Sequence, residues 1–306
     1  MVGRLLASFI GISKKLLRFP HQREDAKAAT TVVMTAFGDG CSLGLRGGPY
    51  GSFRAQLEAL PWHLRSYFCE GHATGLGGRS AFRLRRENPD LFYGTEEYKV
   101  ARFLGYGFWN GLSSVSPVPA LSADGPYWAG VLRWKELHSL VGNGSAYSAI
   151  LSYGAFDGKI KSRILALRDA EARQAALHGA GRVLWLLYMY NFPALRELLD
   201  SNSALAEHIG IGMGFAIGFL QAVIPERIQQ SIAEFSPWQQ AHLKRGAGIA
   251  LAVHACNDAE GRDRIEALAK GELREWYDTA LAAARDAGAG PGWYGRYHDL
   301  TKRSAG

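Results

Sequence analysis

The stretch GYGFWNGL, Gly105 to Leu112, decides how this chain is read, because its pattern returns at a regular interval. Related copies are GDGCSLGL (Gly38 to Leu45), CEGHATGL (Cys69 to Leu76), GNGSAYSA (Gly142 to Ala149), GAGRVLWL (Gly179 to Leu186), GMGFAIGF (Gly212 to Phe219) and GAGIALAV (Gly246 to Val253). The second glycine of each copy falls at Gly40, Gly71, Gly107, Gly144, Gly181, Gly214 and Gly248, at spacings of 31, 36, 37, 37, 33 and 34 residues. A period near 35 residues marks a repeat architecture.

The glycines are expected inside helices. Ser236-Pro237-Trp238-Gln239 reads as an N-cap, a proline at the first helical position and a capping-box glutamine, which puts Gly248 well into the helix. Pro61 and Ser203 stand at similar distances before Gly71 and Gly214. A glycine in a helix interior costs about 1 kcal/mol relative to alanine, so seven of them require a packing reason. Four residues after the second glycine stand Gly44, Gly75, Gly111, Ser148, Trp185, Gly218 and Ala252, small in six of seven copies. Residues four apart share a helix face, and the glycine two positions earlier points the other way. Each motif helix is therefore expected between two close neighbours. The rival reading, a phosphate-cradling loop, fails because the copies sit mid-helix, lack G-x-G-x-x-G spacing and carry no Walker-type lysine.

Proline follows several motif helices, and a short amphipathic helix follows the proline. Ile228, Ile232 and Phe235 form one such stripe after Pro225, and the segment from Phe192 is built alike. No segment alternates with period two. The predicted fold is all-α: tandem helical hairpins of about 35 residues, closed as an (α/α) toroid or open as an α-solenoid. Residues 1–30 read as an N-terminal arm, 31–286 as a single repeat domain whose last two helices (258–286) lack the motif and cap it, and 287–306 as a glycine-rich, basic tail.

Net charge is +7, with 47% hydrophobic and 11% aromatic residues, which supplies a large core. The basic residues are scattered in short groups outside any nucleic-acid module, so a nucleic-acid partner is not expected. Cys41, Cys69 and Cys256 have neither disulfide-framework nor metal-site spacing. The uncharged run Ile209 to Pro225 reads as a buried helix rather than a membrane span, and the N-terminal segment lacks a signal-peptide cleavage site. A cytoplasmic protein is expected, with peripheral membrane contact left open by the amphipathic N-terminus.

Candidate chemistry sits between the paired glycines. That position holds Asp39, Glu70, Tyr106 and Asn143 in four copies and Ala180, Met213 and Ala247 in three, so an interior with a polar arc and an apolar arc is expected. His72 and Asn110 lie nearby on the same helices. Aromatics crowd these segments, among them Phe37, Tyr67, Phe108, Trp109, Tyr147, Trp185 and Phe215. A carboxyl desolvated among rings can serve as a general acid, and ring faces stabilise cations. Asp39, Glu70 and His72 are thus the candidate acid–base residues, with Tyr106, Phe108, Trp109, Asn110, Asn143, Tyr147, Trp185 and Phe215 as candidate lining. D-x-D-D and D-D-x-x-D signatures are absent, no cofactor is predicted, and Mg²⁺ is expected only if the substrate is a diphosphate.

The order FGDGCSLGLR, LEALPWHLRSYFCEG, GYGFWNGL, RW…VGNG, HGAGRVLWLL, AHLKRGAGIALA resembles the bacterial family termed domain of unknown function 1702, over about residues 30–255. The resemblance implies a place in actinobacterial natural-product clusters, enediyne and other polyene polyketide clusters included. This chain has Gly142-Asn-Gly-Ser-Ala where the family pattern reads closer to GYGFH, so no histidine role carries over there. Two functions are consistent with these features: an enzyme that folds and cyclises a linear polyene or isoprenoid through a carbocation, by analogy with terpenoid cyclases on α/α rings, or a non-catalytic protein that shields a reactive polyene for a partner.

Overall fold

The computed structural model describes residues 19, 21–47, 49–83, 98–115, 138–154, 156–167, 170–257 and 259–286, and all regular structure among them is helical. The motif segments form helices α1 (Glu24–Arg46), α3 (Trp62–Arg83), α4 (Lys99–Val115), α5 (His138–Tyr153), α7 (Ala170–Leu187), α9 (Ala206–Leu220) and α11 (Pro237–Asn257). Short helices run between or after them: α2 (Tyr50–Glu58), α6 (Gly158–Leu165), α8 (Phe192–Asp200), α10 (Pro225–Ala233) and α12 (Ala259–Leu268). Helix α13 (Glu272–Asp286) packs on α11 and ends the series. The arm up to residue 18, the tail 287–306 and the segments 84–97 and 116–137 lie outside the described residues.

Local chemistry sets several boundaries. Helix α1 opens with Glu24 and Asp25, whose charges suit the positive end of the helix dipole, so residues 24–30 continue into the first motif helix. Prolines open α10 and α11, and α8 has one in its first turn. At α11 the Gln239 side-chain oxygen accepts from the Ser236 backbone N–H at 3.1 Å, but the Ser236 hydroxyl finds no partner, so half the expected capping box forms. Gln239 also donates to Asp200 Oδ1 at 2.9 Å, tying the start of α11 to the end of α8. Ser203 opens a 3₁₀ turn (Ser203–Leu205) and α9 begins only at Ala206, three residues later than the sequence predicts. The short helices bury their stripes as expected: Leu195 and Leu199 on α8, Ile228 and Ile232 on α10.

Each motif helix packs against the next, and the contacts show how. A β-carbon on Gly40 would collide with the Phe68 carbonyl, and one on Gly44 with that of His72; in return Gly71 faces the Phe37 carbonyl and Gly75 that of Cys41. The contact positions advance together along both chains, so α1 and α3 run parallel. The same holds for α4 beside α5, where Gly107 meets Val141, Gly111 meets Ser145, and the Ser145 hydroxyl donates to the Gly107 carbonyl at 3.1 Å. In α4, α7, α9 and α11 the first glycine of the motif abuts the preceding motif helix and the second abuts the following element. In α3 and α5 the frame is turned: Gly71 and Gly144 both face the helix before them.

Late helices of the array touch early ones. Trp62 at the head of α3 stands edge-on to His254 near the end of α11 at 5.2 Å, and Asn257 donates to Ser66 Oγ at 2.7 Å. Arg65 reaches Glu260 on α12 at 2.8 Å. At the other margin the Arg23 backbone N–H donates to the Met189 carbonyl at 3.3 Å, seating α1 on the end of α7. One continuous apolar core joins residues from Ala26 to Ala283. Cys41 and Cys69 are buried, as packing roles require. The window Ser203–Leu220 has a mean hydropathy of 1.4, enough by length and composition to cross a membrane, but 67% of it is buried within the fold.

The packing makes glycine replacement graded by position. Gly107→Ala places a methyl group closer than 3.0 Å to the Val141 backbone and is expected to destabilise by about 3 kcal/mol or more. Gly51 on α2 has nothing within 4 Å, and Gly51→Ala is expected to be neutral or stabilising by up to about 1 kcal/mol. Urea melts of the two variants check both.

Candidate functional site

The turned frame of α3 and α5 decides which motif residues face one another. Glu70 on α3 and Asn143 on α5 converge on Arg182 of α7, a residue that the sequence reading passed over. Arg182 Nη2 lies 3.3 Å from Glu70 Oε2 and 3.4 Å from Oε1, and Nη1 donates to Asn143 Oδ1 at 2.9 Å. All three are buried: Glu70 is 4% exposed, Arg182 5% and Asn143 1%. The guanidinium stands over the Tyr147 ring at 5.0 Å and the Phe215 ring at 5.5 Å, a cation–π arrangement that offsets part of its lost hydration. The Thr74 hydroxyl donates to the carbonyl of Glu70 or of Gly105, at 2.9 and 3.0 Å, fixing α3 against α4 one turn beyond Glu70.

Aromatic rings surround this pair, and some remain partly open. Phe215 stacks on Phe219 at 5.2 Å, and Phe219 meets Tyr67 edge-on at 5.3 Å. Phe108 bridges Phe37 at 4.9 Å and Tyr147 at 5.7 Å. Phe37, Tyr67 and Tyr147 are half-buried, whereas Phe108 and Phe215 are buried. Phe37, Tyr67 and Tyr147 thus keep some exposure beside a pair that has almost none.

The electrostatics follow from burial. Desolvation raises the Glu70 carboxyl above the usual carboxylate range, while the charge and hydrogen bonds of Arg182 pull it back. Burial also raises the Tyr147 phenol, with Arg182 opposing and Glu70 adding to the shift. Tyr67 is raised well above its ordinary value, first by burial. Arg182 stays charged throughout the accessible pH range, so protonating Glu70 would take a counter-charge from beside it.

Other predicted residues fall elsewhere. Asp39 is exposed, although it occupies the same motif position as Glu70. The reason is the frame: Gly40 faces the following helix, Gly71 the preceding one, and the residue between is carried to a different side. His72 is buried against Phe53 of α2 at 4.5 Å, and desolvation lowers its pKa to about 3. It is neutral at ordinary pH and takes part in the packing of α2 on α3. Tyr106 is fully buried edge-on to Phe103 at 5.8 Å, and Trp109 covers Gly77 and Gly78. Trp185 is fully buried against Tyr190 and Phe192, toward α8 rather than toward Glu70. Asn110 lies on α4, with its side chain outside the described residues. Of the predicted lining, Asn143, Tyr147 and Phe215 touch Arg182 directly, and Phe108 touches Tyr147.

Arg182 could have been found from sequence. It is the one Asp, Glu, Lys or Arg in the run from Ala175 to Leu187, and a lone charge inside an apolar helix needs a buried partner. Among the described residues no three His, Cys, Asp or Glu side chains group as a metal site. No family model matches the chain, and comparison with curated proteins and with solved structures finds no match.

Two outcomes follow. Glu70→Ala removes the carboxylate beside the buried Arg182 and is expected to destabilise by about 3–5 kcal/mol, whereas Glu70→Leu with Arg182→Met is expected within about 1 kcal/mol of wild type or above it; denaturant melts compare them. The depressed pKa of His72 contributes stability above its unfolded value of 6.5 that is lost as pH falls toward about 3. In His72→Phe the stability–pH slope over that window is expected to fall by up to about one bound proton, measured from melts at successive pH values.

Proposed function

We propose that the protein binds a linear hydrophobic molecule, a polyene or isoprenoid of natural-product biosynthesis, along the aromatic face beside Glu70 and Arg182. The observation that carries this reading is a buried, hydrogen-bonded ion pair flanked by half-buried rings. Rings supply apolar contact with little conformational entropy to lose, and a few fixed polar groups orient what lies on them. The motif order that resembles domain of unknown function 1702 points to the same class of molecule. Holding such a chain for a partner enzyme needs nothing further from these residues.

A second reading has its own support. Burial lifts the Glu70 pKa, and the surrounding Tyr147, Phe215 and Tyr67 rings would stabilise a carbocation, as acid-started cyclisation requires. In that reading Glu70 donates the first proton to the chain and the substrate returns one after ring closure. Arg182 weighs against it, because its charge 3.3 Å away favours the carboxylate. Donation therefore requires the ligand to displace the Arg182–Glu70 contact.

Incubation with farnesyl, geranylgeranyl and geranylfarnesyl diphosphates and with squalene, with and without Mg²⁺, separates the readings by mass spectrometry of extracts. Ligand retained unchanged by wild type and by Glu70→Gln is expected for a binding protein. Cyclised product from wild type that drops at least about 100-fold in Glu70→Gln identifies the enzyme. Neither retention nor product sinks the proposal.

A further inference from the structure

Between α5 and α7 the chain turns a tip that is both basic and apolar toward solvent. Helix α6 buries Ile160 and Ile164, one turn apart, against its neighbours α5 and α7. Its outer face carries Lys159 and Arg163, also one turn apart and both exposed, with Lys161 partly exposed. The segment 157–167 holds these three cations and one acid, Asp157. Asp157 caps the helix, its carboxylate accepting from the Ile160 N–H at 2.9 Å. Lys161 donates to Asn202 Oδ1 at 2.8 Å, a neutral partner that leaves its charge in place. No carboxylate among the described residues bridges to any of the three. Leu165, Ala166 and Leu167 follow at the end of the helix, all exposed, the two leucines by 42% and 38%. Three apolar residues in a row facing water add nothing to the core, and such a run belongs to a surface with a function. The tip is held in shape as well. The Ala166 N–H donates to the Ser162 carbonyl at 3.0 Å, the Leu167 N–H to that of Ile164 at 3.2 Å, and Arg173 Nη1 to the Leu167 carbonyl at 2.8 Å. Little chain freedom is therefore lost when it meets a partner.

We infer that the α6 tip docks on an anionic lipid surface, with Lys159, Lys161 and Arg163 among the headgroups and Leu165 and Leu167 entering the acyl boundary beneath them. Cations beside solvent-facing leucines match a bilayer in both of its layers, the charged phosphates outside and the hydrocarbon within. A nucleic acid offers the phosphate charge but no hydrocarbon layer to receive the leucines. Another exposed apolar pair, Val223 and Ile224, is followed by Glu226 and Arg227, whose charges cancel, so it lacks the cationic half of the pattern. Docking at α6 goes beyond the hydrophobic-ligand reading and stands without it.

Co-sedimentation of the full chain with vesicles of phosphatidylcholine and phosphatidylglycerol, against vesicles of phosphatidylcholine alone, tests this. Wild type is expected to bind the anionic vesicles at least about tenfold tighter, and added salt to remove most of that advantage. Lys159→Glu with Arg163→Glu is expected to lose at least about tenfold on the anionic vesicles. Leu165→Ser with Leu167→Ser is expected to lose at least about threefold at unchanged charge, whereas Val223→Ser with Ile224→Ser is expected to match wild type. All the substituted side chains are exposed, and melting temperatures equal to that of wild type check that each variant is folded. Failure of wild type to prefer the anionic vesicles overturns the inference. Wild-type binding by either α6 double variant overturns it too, and assigns the contact to another surface. So does binding of a DNA duplex that depends on Lys159 and Arg163 while the vesicles are ignored.

Discussion

Backbone pressed against backbone is the constraint on which the rest of this structure depends. Motif helices run side by side so closely that the position of a single hydrogen in place of a methyl group sets their separation, as at Gly40 beside Phe68 and Gly107 beside Val141. Dispersion between main-chain atoms then replaces the side-chain interdigitation of ordinary helix pairs, and each contact is individually weak but repeated along the whole interface. Such an interface tolerates no extra atom. It also leaves bulky side chains to the remaining sides of each helix.

That division explains where polarity can be placed. The sides given to neighbours are largely glycine, alanine and serine, and a side toward a short helix holds Trp185, buried against Phe192 of α8. Polar groups directed inward must find one another, and Glu70, Asn143 and Arg182 do so across three different helices. A buried ion pair of this kind adds little net stability compared with apolar residues of the same shape.

The repeat, the all-helical class and the close contact of glycines were legible because each is a matter of periodicity. Gly40, Gly107 and Gly248 fall inside helices and against neighbouring backbone, as their spacing predicts. The site was legible only in part, because a motif letter does not determine a helix's rotation. Asp39 and Glu70 share one letter and end on different sides, exposed and buried, since α3 is turned relative to α1 about its axis. Tertiary packing sets that rotation, and no local propensity reports it. Arg182 lies outside the glycine motif itself, and its signal in the sequence is of another kind: it is an isolated charge among apolar residues.

The contact of late helices with early ones has a consequence for how the molecule comes to be folded. Open stacks of repeats can nucleate anywhere and fray from either terminus one unit at a time. Here Asn257 bonds to Ser66 across 191 positions of sequence, and Gln22 to Leu186 across 164. Such distant pairings demand that a long loop be closed before they are rewarded, which slows folding and ties early units to later ones. A nascent chain lacking the helix that carries His254 and Asn257 would thus leave the head of α3 unclasped as well, so the protein completes its fold only when most of it has been made.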